Sequence, residues 1–189
     1  MELTGQHAIP APRDVVWQML NDPDVLRQCI PGCESLEGNP DDGFSARVRM
    51  AIGPVKANFT GKVTLSDMNP PESYTISGEG SGGVAGFASG GADVRLADDA
   101  AGSTVLSYTA RAKVGGKLAQ LGSRLVEGTA RKLANEFFTN FTDLATERSV
   151  NAPAPDTSAT AAPSTGPTLR PWMFGVAAAV GLIAILLIL

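Results

Sequence analysis

Residues 44–65 run FSARVRMAIGPVKANFTGKVTL, and their alternation decides the fold. Phe44, Ala46, Val48, Met50 and Ile52 fall on one side, with Ser45, Arg47 and Arg49 on the other. After Gly53-Pro54 the pattern resumes. Val55, Ala57, Phe59, Gly61, Val63 and Leu65 alternate with Lys56, Asn58, Thr60, Lys62 and Thr64. A period of two across a Gly-Pro turn defines two consecutive strands with one apolar face.

Outward from this pair the same period recurs in SYTISG (73–78), ADVRL (92–96) and TVLSYTARAKV (104–114), while ELTGQHAI (2–9) gives a first strand. The sum is a one-sided antiparallel sheet whose apolar face has to be covered. Residues 115–148 supply a cover, with Leu118, Leu121, Leu125, Leu133, Phe137, Phe141 and Leu144 at helical spacing. Two short helices precede the meander. Pro12 opens the first, with Val15, Val16, Met19 and Leu20 on one face; Asp22 caps the second ahead of Pro23. The expected fold class is α+β, a helix-grip domain in which a curved antiparallel sheet wraps a long C-terminal helix.

The segment CIPGC (29–33) places two thiols four residues apart. A tetrahedral metal site needs about four ligands, and the sequence offers one histidine, His7, and no further cysteine. A cytoplasmic domain keeps its thiols reduced, which disfavours a disulfide. Pro31-Gly32 is a turn signal, so the segment reads as a corner between a helix and a strand, with no metal site.

Small residues fall on the inward side: Ala46, Ala57, Gly61, Gly78, Ala110 and Ala112 on the sheet, and Gly115, Gly116, Ala119 and Gly122 along the helix. Interiors pack at a density of roughly 0.74, and a curled sheet cannot collapse fully onto one helix. An apolar cavity is therefore expected. Its lining is assigned to Trp17, Phe44, Phe59, Tyr74, Leu118, Leu121 and Leu125, with Val84 and Phe87 near the mouth. Those last two lie in GEGSGGVAGFASGGA (78–92), which reads as a flexible hairpin with an exposed apolar tip of Val84, Ala85 and Phe87. The segment lacks the lysine and following helix of a phosphate-binding loop. No catalytic residue is assigned, because the inward positions offer His7 alone and only two phenols, Tyr74 and Tyr108.

The chain has 189 residues and a formal net charge of −4, and 43% of it is hydrophobic. No basic stripe is present to meet phosphates, which excludes a nucleic-acid partner. Residues 1–148 form the domain. Residues 149–171, rich in Pro, Ala, Ser and Thr, read as a disordered linker. Residues 172–189, WMFGVAAAVGLIAILLIL, carry no charge and as a helix would rise about 27 Å, close to a bilayer's hydrocarbon core. With Arg170 as a positive flank, Trp172 at the interface and no signal peptide, a single-pass tail anchor in the cytoplasmic membrane is expected, its N-terminal domain cytoplasmic.

The segments APRDVVWQMLNDPDVLRQCIPGC (11–33), IGPVKANFTGKV (52–63), GGVAGFASGGA (82–92) and GGKLAQLGSRLVEGTARKLANEFF (115–138) together resemble the CoxG family of carbon monoxide dehydrogenase proteins, within the START-like SRPBCC superfamily. The likeness covers about residues 1–147. It implies an accessory of the molybdenum CO dehydrogenase that brings the enzyme to the cytoplasmic membrane, and a cavity suited to lipids. Together with the tail it implies a non-enzymatic carrier of a respiratory quinone, menaquinone or ubiquinone, with the dehydrogenase, membrane lipid and the quinone itself as partners and no covalent cofactor. A pure membrane adaptor and a lipid-binding protein of a related molybdenum hydroxylase are the alternatives.

Overall fold

The computed structural model describes residues 1–99 and 102–151. Seven strands run in chain order as β1 (Glu2–Ile9), β2 (Cys33–Asn39), β3 (Gly43–Ile52), β4 (Val55–Asn69), β5 (Ser73–Ser81), β6 (Phe87–Asp98) and β7 (Thr104–Gly115). They form one antiparallel sheet in the order β1-β7-β6-β5-β4-β3-β2. The chain enters at one edge and continues at the opposite edge. The crossing is made by α1 (Arg13–Leu20) and α2 (Pro23–Cys29), which close one end of the sheet. After β7 come a short helix, α3 (Lys117–Gln120), and the long α4 (Ser123–Asn151).

Local chemistry explains the start of this path. The Asp22 carboxylate accepts from the backbone N–H of Asp24 at 3.0 Å and of Val25 at 3.4 Å, with Pro23 at the first helical position. The corner reading of CIPGC matches the structure: α2 ends at Cys29, β2 begins at Cys33, and Gly32 turns between them at φ 74°. The Gly32 carbonyl accepts from the Arg49 N–H at 2.9 Å and ties the corner to β3.

The inner face of the sheet is apolar, as the alternation requires: every second residue of β3 from Phe44 to Ile52 is buried. The cover departs from expectation in two places. Residues 115–148 do not make one helix: Gly116 (φ 72°) and Gly122 (φ 85°) adopt left-handed conformations and isolate α3 from α4. The break resets the helical phase, so Leu125 is exposed while Val126, Ala130, Ala134, Phe137, Phe138, Phe141 and Ala145 are buried. Gly115 ends β7, and Ala119 and Gly122 are exposed, so the small residues expected to face the sheet from the helix do not. The ones that do are Ala130 and Ala134.

The glycine-rich segment also differs. Most of it is paired strand, with β5 running to Ser81 and β6 starting at Phe87, and only Gly82–Gly86 form the connection around a single 3₁₀ turn. Ala85 is buried rather than exposed. The glycines are there because the strands crowd: a Cβ on Gly90 would strike the Arg111 carbonyl and one on Gly91 the Ile76 carbonyl.

α4 runs from the open end of the sheet to the closed one. Near its start Leu125 lies over Gly53 in the β3–β4 turn; further along the Asn140 amide donates to the Cys29 carbonyl at 3.1 Å, and Arg148 pairs with Asp22 at 3.2 Å. Phe137, Phe138 and Phe141 are fully enclosed and contribute roughly 1.5–3 kcal/mol each by burial. Gly90→Val should lower stability by about 3 kcal/mol or more, since backbone has to move to admit it. Thermal unfolding followed by near-UV circular dichroism checks this, with Gly128→Ala as the control because a Cβ there meets nothing and the backbone is helical.

Candidate functional site

The residues assigned to a ligand separate into an interior set and a set at the open end. Trp17, Phe44, Phe59, Tyr74 and Leu118 are enclosed, at 3% exposure or less, and Leu121 is partly buried. Val84, Phe87 and Leu125 are exposed, at 86%, 59% and 41%.

The interior set is built across elements. Trp17 projects from α1, which packs over the sheet at its closed end. The indole meets the Tyr74 ring of β5 edge-on, with centroids 5.3 Å apart. Among the inward positions of β3, β6 and β7, Ala46, Ala92, Ala110 and Ala112 alternate with larger buried residues such as Val48, Met50, Val94 and Leu106, and α4 adds Ala130 and Ala134. Polar atoms enter this interior on both rings, the Tyr74 hydroxyl and the Trp17 indole N–H. Trp17 Nε1 is buried and has no hydrogen-bond partner among the described residues, although the backbone carbonyl of the same residue accepts from the Asn21 amide. An orphaned indole N–H costs about 1–3 kcal/mol, the penalty a ligand carbonyl would relieve.

A second aromatic group lies where β1 meets α4. Phe138 stacks on His7 with centroids 3.7 Å apart and on Tyr108 at 5.7 Å. Burial holds the His7 imidazole below its usual range and pushes the Tyr108 phenol up. His7 also lines a groove of about 390 Å³ along this seam, with Asn135, Thr139, Thr142 and Asp143. On the outer face of the sheet a groove of about 540 Å³ runs past Thr60, Lys62, Glu79, Ser81 and Ser89 to Phe87.

The thiols do not converge on anything chemical. Burial pushes the Cys29 thiol up to about 12 and raises that of Cys33, so neither supplies a thiolate at neutral pH. Among the described residues no group of three or more His, Cys, Asp or Glu side chains is placed to hold a metal ion.

Sequence reasoning found the interior aromatics and missed Val126, Ala130, Ala134 and Phe138, because it continued one helical phase through Gly122. The four-residue spacing of Val126, Ala130 and Ala134 was the available signal. The unpartnered indole N–H had none, since it depends on where α1 docks.

A curved antiparallel sheet around a C-terminal helix, with two helices closing one end, defines a helix-grip domain of the START-like SRPBCC class. The family model for CoxG, the G subunit of carbon monoxide dehydrogenase, matches residues 5–145, and the chain belongs to that family. CoxG is an accessory family rather than a catalytic one, and membership gives this chain an accessory role in CO dehydrogenase biology. The structure is similar to a crystal structure of a conserved protein from Geobacillus kaustophilus at 31% identity and a TM-score of 0.73, covering 78% of this chain and 96% of that one. It also resembles a Thermus thermophilus protein (16% identity, TM-score 0.60, covering 79% and 99%) and one from Rhizobium leguminosarum (15%, 0.57, 78% and 95%), likenesses of fold alone. Comparison with curated proteins returns no match.

Two outcomes follow from the buried groups. The folded state resists protonation of His7 and the unfolded chain does not, so protons favour unfolding. Stability should therefore fall as pH drops below about 6.5, and His7→Gln should flatten that part of a denaturant-midpoint profile. For the cysteines, Cys33→Ser should be near neutral, whereas Cys29→Ser, at a fully enclosed position, should cost about 1–3 kcal/mol. Alkylation of Cys29 should be negligible until the chain unfolds, as mass spectrometry of iodoacetamide-treated protein would record.

Proposed function

We propose that this chain is a membrane-tethered, non-enzymatic carrier that holds a respiratory quinone inside the grip and links molybdenum CO dehydrogenase to the quinone pool. The buried, unpartnered Trp17 N–H carries this reading: it offers one donor to a carbonyl, beside a ring that brings the buried Tyr74 hydroxyl. A quinone head group needs one or two hydrogen bonds, and its prenyl tail gains about 25 cal/mol per Å² from apolar wall. The alanines of β3, β6, β7 and α4 are the inward positions with the least side-chain bulk, where such a tail would enter most easily. Residues 172–189, outside the described residues, supply the proposed anchor, and 152–171 the proposed linker, since α4 continues to Asn151. Among the described residues no helix is long and apolar enough to cross a membrane.

A pure adaptor is the second reading, and one observation favours it: the assigned interior residues are already nearly closed to solvent. Organic extracts of detergent-purified protein, read by mass spectrometry, should contain stoichiometric menaquinone or ubiquinone. Trp17→Phe keeps an aromatic ring but removes the N–H with the pyrrole part of the indole, so it should reduce retained quinone about ten-fold with membrane association intact. Absence of any lipophile, together with normal dehydrogenase-dependent quinone reduction in Trp17→Phe membranes, would leave the adaptor standing. Deleting residues 171–189 should move the protein to the soluble fraction with the domain folded; continued pelleting would replace the anchor with surface binding.

A further inference from the structure

Val84, Phe87 and Leu125 are the large exposed hydrophobic side chains among the described residues, and all three lie at the open end of the sheet. Val84 tips the β5–β6 connection, which packs against α3; Phe87 starts β6, its ring over Gly115; Leu125 begins α4, over the β3–β4 turn. Lys56 follows that turn, Lys113 precedes the end of β7, and Lys117 and Arg124 open α3 and α4. All four cations are exposed, and among the described residues none is in an ion pair. The acidic groups near them are Glu79, which shares a groove with Phe87, Glu2, which pairs with Arg111 beside Lys113, and Glu127, half-buried one turn into α4. The closed end is the reverse. Asp14, Asp24, Asp41, Asp42, Asp98 and Asp99 gather there, and two of its arginines are engaged, Arg13 with Asp98 at 3.1 Å and Arg148 with Asp22 at 3.2 Å.

We propose that the open end is itself a membrane-docking surface, taking an anionic bilayer independently of the tail. Val84, Phe87 and Leu125 enter the headgroup layer while Lys56, Lys113, Lys117 and Arg124 meet lipid phosphates around them. Exposed apolar side chains ringed by unpaired cations match the two layers of an anionic interface, and the acidic closed end is repelled from it. The net charge of −4 hides this polarity, because the acids are concentrated at the other end. The surface rests on the carrier reading for its purpose, giving a lipophile a path from bilayer to grip, and on the charge arrangement alone for its existence.

Hydrogen exchange of the full chain, with vesicles of phosphatidylcholine alone or mixed with phosphatidylglycerol, tests it. Residues 82–87 and 115–125 should gain protection in the anionic vesicles only, and high salt should abolish the gain. Each charge reversal, Lys117→Glu or Arg124→Glu, should weaken the gain by at least about five-fold. Val84→Asp, at a site where the fold makes little demand, should abolish it. Equal protection in both lipids, or protection unmoved by these variants, overturns the proposal. So does protection that grows with protein concentration without lipid, which marks a second copy, or that requires added dehydrogenase, which marks a protein partner. Quinone content measured in the same samples separates the two readings: anionic-lipid protection without quinone sinks the carrier and leaves the docking surface.

Discussion

A seven-stranded sheet with one apolar face is too wide for one helix. At about 4.8 Å per strand it spans roughly 29 Å, against a helix diameter of about 10 Å. A flat sheet would leave its outer strands wet on both faces. The sheet therefore curls until both edges approach the helical layer: β1 lies against α4 through the His7–Phe138 stack, and β2 follows directly from α2, which is bonded to α4. Close strand approach around Gly90 and Gly91 makes the curl possible, and the alanines of the inner face keep the layers near. Curling also fixes where chemistry can happen, because it leaves one end open and lets α1 and α2 plug the other.

Where local chemistry is self-sufficient, the sequence was readable. Alternation in 44–65 needs no tertiary context, since a shift of one residue would turn every apolar side chain to solvent. Asp22-Pro23 and Pro31-Gly32 were readable for the same reason: a cap and a corner are made by the residues themselves. The long helix was not, because Gly116 and Gly122 are tolerable within a helical pattern until their left-handed backbone is seen. The glycine-rich stretch misled in the opposite direction. Glycine normally marks a loop, yet here most of it is strand, chosen for the room neighbouring backbones leave. At the candidate site, the identity of the buried aromatics was legible, and the orphaned Trp17 N–H was not, because it is a property of docking rather than pattern.

The two ends of the grip differ chemically as well as topologically. At the closed end two arginines tie helices to acids, Arg13 bridging α1 to Asp98 and Glu72 and Arg148 joining α4 to the α2 cap. These exposed pairs are worth little in stability individually, but they pin the helices that form the plug. The open end ties β1 to β7 through the N-terminal ammonium on the Ala112 carbonyl and through Arg111 with Glu2, while Lys56, Lys113, Lys117 and Arg124 form no ion pair among the described residues.

The direction of α4 has a mechanical consequence. With 29 residues it is about 43 Å long, and it carries the chain from the open end to the closed one. Asn140 and Arg148 fasten the far part of this helix to α2, while Leu125 near its start touches the β3–β4 turn. Under the proposed tail anchor, any pull on the C-terminal side would therefore reach the domain at its plugged end, and α4 would carry it as a lever arm to the end bearing Val84 and Phe87.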